Sequence, residues 1–128
     1  MKTLALATAL LALTPTLATS QENTVAAIEA EIRLQEAFTN AAILEQCAYL
    51  GAGGVTYELA DGVYDYAVSV LETAAIEAGM LPGHTFELSR AAADEADFAV
   101  EVWERFPDEA RSQCLRVRQN TILRGWVQ

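Results

Sequence analysis

The chain has 128 residues, 52% of them apolar, and 18 Asp and Glu outnumber eight Lys and Arg to leave a formal charge of −10 at neutral pH. So acidic a molecule repels nucleic acid and anionic membrane surfaces. Its length supports one hydrophobic core and is too short for two.

The first segment has the three zones of a secretory leader. Lys2 supplies a positive charge, Leu4 to Leu13 an apolar stretch, and Pro15 a helix breaker before a polar exit with small residues. The apolar stretch is about ten residues, half of the roughly 20 needed to cross a bilayer. No stable membrane anchor is expected there or later in the chain. Ala18 and Ser20 present small side chains at a spacing that a signal peptidase accepts, placing the cut before Gln21. Residues 1–20 are therefore expected to be a cleavable signal peptide, and residues 21–128 a single exported helical domain. No Cys lies at the cut, which argues against lipid anchoring.

Lys2 is the only lysine, so the body from Gln21 onward carries 7 Arg against 18 acids, a charge of −11. All 18 acids lie before residue 110, while Arg111, Arg116, Arg118 and Arg124 follow with no acid among them. An acidic body thus ends in a basic helix. Those arginines either pair with acidic neighbours within the fold and complement a helix C-terminus, or form a docking surface for an acidic partner. Cys47 and Cys114 are the only cysteines. In an oxidising compartment they are expected to form one intramolecular disulfide.

Helix-favouring Ala, Leu, Glu, Gln and Arg fill the stretches between clear breakers, and no long alternating β-branched run occurs. A first helix is predicted from about Thr24, as N-cap, to about Leu50, burying Val25, Ile28, Ile32, Phe38, Leu44 and Cys47. Gly51, Gly53 and Gly54 stop it. A second runs from about Thr56 to about Ala78 with Leu59, Val63, Tyr66, Val70, Ala74 and Ala78 on one face. After the turn Leu81-Pro82-Gly83, Thr85 is the expected N-cap of a third helix reaching about Arg105, with Phe86, Ala93, Ala96, Val100 and Trp103 buried. Pro107, Asp108 and Glu109 suit the first turn of a fourth helix. It continues to about Arg124 and buries Cys114, Val117 and Ile122.

Four helices with short connections imply an all-α, antiparallel four-helix bundle. The cysteines test that topology independently. Cys47 lies about three residues before the end of the first helix and Cys114 about seven into the last, so at about 1.5 Å per residue their axial levels nearly coincide. A disulfide joining first and last helices follows.

No cofactor or metal site is implied. His84 is the only histidine; it has no metal-ligand spacing, no accompanying serine motif and no C-x-x-C-H for haem. Glu-x-x-His, the signature of di-iron bundles, is absent. Asp94, Asp97, Glu101 and Glu104 recur at helical spacing as a solvated face, and Gly51 to Gly54 lacks the Lys and Ser/Thr of a phosphate loop.

Two clusters suit recognition. One is Tyr57, Asp61, Tyr64 and Asp65 at the start of the second helix, since tyrosines offer an apolar ring and a polar tip. The other is Arg111 and Arg118 on the last helix. The expected function is a small exported, non-catalytic binding or protein-interaction module whose partner is another protein. An inhibitor, immunity protein, chaperone or accessory subunit of the bacterial periplasm, or a secreted equivalent, fits. The alternative is a carboxylate-dependent enzyme or cofactor-binding bundle centred on Asp61, Asp65 and Tyr57, which requires a concave, partly buried pocket.

Overall fold

The computed structural model describes the backbone of residues 2–127 and the side chains of residues 24–127. The predicted leader, residues 1–20, lies outside the described side chains. The elements in order are α1 (Lys2–Leu50), α2 (Tyr57–Tyr66), a π-helical turn (Ala67–Leu71), α3 (Glu72–Glu77), α4 (His84–Trp103) and α5 (Pro107–Leu123), with no strand among the described residues. α2, the π turn and α3 follow without a break as one arm. The chain is an all-α four-helix bundle.

Cross-helix pairs establish the up-down-up-down course. Cys47 and Cys114 form a disulfide with Cα atoms 5.8 Å apart, and ten residues further along α5 Arg124 donates to Glu36, 2.9 Å away and eleven residues back along α1. α5 is thus antiparallel to α1. His84 meets Glu31 at 3.8 Å and Asp97 accepts from Gln46 at 3.2 Å, so α4 runs parallel to α1. The Tyr64 ring packs on Phe38 with centroids 5.7 Å apart.

α1 is the helix on which the others converge: α2, α4 and α5 each pack against it, whereas α4 and α5 touch one another little. Its buried stripe is Ala30, Leu34, Ala37, Phe38, Ala41 and Leu44, at the three- and four-residue steps of one helical face. Ala60, Val63 and Ala67 join this core from the second arm and Ala92 and Trp103 from α4, where Ala96 is buried as well. Small side chains on both sides let helix axes approach closely.

The predicted elements hold, but several faces are rotated. α1 passes through Thr24, which is therefore interior and not an N-cap. Val25, Ile28 and Ile32 are exposed. Val25 and Ile32 lie within about 40° of Glu36 on the helix, taking about 3.6 residues per turn, so they occupy the flank that α5 covers. α5 ends beside Glu36, and nothing described shields that flank further toward the N-terminus.

On the second arm, Val63 is buried as predicted, but Leu71 and Ala75 turn inward instead of Val70 and Ala74. The π turn is the cause. It adds a residue to one turn, which brings Leu71 and Ala75 inward in place of Val70 and Ala74, while Ala78 still packs partly against the core. Ser69 and Thr73 donate to the carbonyls four residues back, at 2.6 Å and 3.1 Å, a pattern that bends helices. Thr56, where the second helix is predicted to begin, caps the arm, its hydroxyl accepting from the Leu59 N–H at 3.2 Å. Thr56→Ala is expected to cost about 1 kcal/mol, read as a lower midpoint in urea unfolding.

Gly83 occupies the N-cap of α4, with no side-chain cap bond. Thr85 is two residues too late, because the helix grows directly from the Leu81–Gly83 turn through His84 N–H to Leu81 O. Phe86 and Ala93 are exposed, and Ala92, Ala96 and Trp103 are buried with Leu88 and Ala99 partly covered. On α5 the buried set is Ala110, Cys114, Val117 and Thr121. Thr121 replaces the predicted Ile122 because its hydroxyl donates to Val117 O at 2.9 Å and so enters the core satisfied. Trp126 folds back and is buried, with the Arg124 guanidinium 5.9 Å from its ring centre.

Gly53 carries the loop after α1 across the disulfide. Its φ is +65°, and a Cβ there would sit 3.0 Å from Cys114 Cβ and 3.2 Å from the Leu115 nitrogen. Gly53→Ala combines a left-handed backbone penalty of about 1–2 kcal/mol with that collision. A midpoint unchanged from wild type in thermal unfolding would contradict this placement.

Candidate interaction surfaces

Clefts open where the helices converge. Because α2 and α4 both lean on α1, a groove of about 250 Å³ opens between them, with Phe38, Ala41, Ala42, Ala60 and Ala93 as an apolar lining and Glu45, Asp61, Tyr64 and Ser89 as polar members. Asp61 and Tyr64 therefore share a site. Asp65 does not join them: it lines a wider cleft of about 590 Å³ with Tyr66, Ser69 and Trp126, between α2 and the C-terminal tail. Tyr57 lines neither cleft and is exposed at the first turn of α2. The predicted Tyr-Asp cluster is thus divided among three places. Asp61 and Asp65, one turn apart on α2, lie at the rims of the two clefts that flank it.

Of the two roles open to the basic helix, internal pairing accounts for one arginine. Among the described residues, Arg124 alone of the four C-terminal arginines forms an ion pair, with Glu36. Arg116 donates to the Gln113 side-chain oxygen at 2.7 Å and 2.9 Å and meets no carboxylate. Arg111 and Arg118 are exposed and have no ion pair among the described residues. Arg118 lies over the glycine loop, 3.6 Å from where a Gly54 Cβ would be. Arg111 edges a cleft of about 360 Å³ lined by Gly51, Gly53, Trp103, Glu104 and Pro107.

Arg111, Leu115, Arg118 and Ile122 recur at four-, three- and four-residue steps, so they form one stripe on α5. Leu115 is 41% exposed and Ile122 55%. A cation, an apolar side chain, a cation and an apolar side chain alternate along one ridge. Sequence reasoning selected the two arginines and missed the two aliphatic residues between and beyond them, although their spacing was the available signal.

His84 sits at the start of α4, with Nδ1 2.9 Å from Glu87 Oε2 and Nε2 3.8 Å from Glu31 Oε2. It ties the helix entrance to α1. Among the described residues no helix is long and apolar enough to cross a membrane. Comparison with protein-family models, with curated proteins and with solved structures returns no match.

Proposed function

We propose that the chain is an exported, non-catalytic protein-interaction module of the bacterial periplasm or a secreted equivalent, acting as an inhibitor, immunity protein, chaperone or accessory subunit. The observation that carries this reading is the α5 ridge. Arginine is a preferred interface residue because its guanidinium forks onto carboxylates while its stem packs on apolar surface. Here two such side chains stand exposed and unpaired in a molecule with 18 acids, separated by an uncovered leucine. The disulfide and the leader-like first segment support export.

The carboxylate-enzyme reading draws less support. Asp61 and Asp65 are both exposed and line different clefts, whereas that reading calls for a partly buried carboxylate in a concave pocket. The test is affinity purification of the tagged protein from its own periplasm, with partners identified by mass spectrometry. A stoichiometric partner is expected for wild type and is expected to be lost from an Arg111→Glu, Arg118→Glu variant. A chain that is reproducibly monomeric and partner-free at native abundance would end the interaction reading.

A further inference from the structure

We propose, building on the interaction reading, that the α5 ridge docks on the outer face of α4 of a second copy of this chain, so that copies associate head to tail. The outer face of α4 carries Asp94, Phe98 and Glu101, at the same four- and three-residue steps as Arg111, Leu115 and Arg118. Each triad spans seven residue steps, about 10.5 Å of helix axis at 1.5 Å per residue. Acid, ring, acid on one helix therefore matches cation, leucine, cation on the other in length, order and sign.

Both triads are available. Phe98 is 69% exposed, and Asp94 and Glu101 are exposed with no ion pair among the described residues. Their neighbour Asp97 is engaged instead by Gln46, at 3.2 Å. No ion pair links the α4 and α5 triads within one molecule. An exposed phenylalanine flanked by acids and an exposed leucine flanked by arginines each lack what the other supplies: apolar cover at the centre and counter-charge at both ends.

The net charge does not forbid the contact. Two bodies of equal negative charge repel at a distance, but that repulsion is screened over about 8 Å at physiological ionic strength, while pairs in direct contact are screened much less. One helix face against another is a small interface, below the size of stable assemblies. Association is therefore weak and concentration-dependent. Because the two surfaces differ, every added copy leaves one of each unoccupied, and the assembly grows as a chain or closes as a ring.

Sedimentation velocity of the purified chain over a concentration series tests this. Wild type is expected to gain average mass with concentration and to return toward monomer at about 1 M salt, where the screening length falls to about 3 Å. The variants R111E/R118E and D94R/E101R are each expected to remain monomeric. Circular dichroism checks that both stay helical, which exposed surface positions should allow. Mixed, they are expected to associate again and to grow past two, because the wild-type acidic face of one meets the wild-type ridge of the other and the two reversed faces are opposite in sign in their turn. Wild type that stays monomeric at every concentration overturns the proposal, as does self-association undiminished in either variant or a mixture that fails to pair. If self-association fails while tagged wild type still captures another protein through the α5 ridge, only the second-copy assignment falls and the interaction reading stands.

Discussion

Removing the disulfide by the double substitution Cys47→Ala and Cys114→Ala is expected to lower unfolding stability by about 4 kcal/mol. The bond closes a loop between positions 67 apart, and in the chain-entropy picture a loop of that length restricts the unfolded chain by roughly that amount. In a domain of this size the loss corresponds to a fall of about 20 °C in Tm. The effect should be concentrated on one helix. α5 buries only Ala110, Cys114, Val117 and Thr121, small or polar side chains that contribute little apolar area, so its seat on α1 depends on the covalent link. Hydrogen exchange in reducing buffer should therefore accelerate in α5 before α1, α2 or α4. Equal unfolding midpoints with and without reductant would show that packing alone holds the last helix.

The second large effect is expected at Leu34. It is fully buried at 0% exposure, on the face of α1 that other helices share, and Leu34→Ala should cost about 3 kcal/mol through lost transfer energy and the cavity left behind. Ile32, two residues earlier and 61% exposed, provides the control. Ile32→Ala should change stability by no more than about 0.5 kcal/mol, as for surface positions generally. Paired urea titrations separate the two. Comparable losses would mean that the inward face of α1 had been assigned to the wrong stripe.

Helix number, course and covalent pairing were readable because each is set by strong local signals. Glycines after Leu50, the Pro82-Gly83 turn and Pro107 interrupt helices for steric reasons that tertiary contacts rarely override. The two cysteines had levels only an antiparallel course could match. The faces were less legible because alanine is compatible with either side of a helix. With Ala92 and Ala93 adjacent, the pattern around Phe86 selected the wrong one. Val70 and Ala74 failed for a different reason: a π turn changes the phase within an otherwise regular arm, and its local mark is only a pair of hydroxyls, Ser69 and Thr73. Ile32 failed because its exposure depends on where α5 ends, a non-local fact.

The candidate surfaces show the same division. Arg111 and Arg118 stood out as charges where acids are missing, and they are unpaired among the described residues. Their grouping with Leu115 and Ile122 required a helical register that charge alone does not reveal. Tyr57, Asp61, Tyr64 and Asp65 were close along the chain, but the second arm is flanked by open grooves on two sides, so sequence proximity did not become a shared site.

The convergence of α2, α4 and α5 on α1 means that the molecule resembles a hub with three spokes more than a ring of four equal posts. A change in the hub's inward face is felt by every spoke at once, whereas a change on one spoke's outer surface stays with that spoke. Under random mutagenesis with selection for folding, tolerated substitutions should therefore be sparse along Leu34 to Leu44 and dense along the outer surfaces of α4 and α5, leaving the molecule free to alter its outer chemistry without rebuilding its centre.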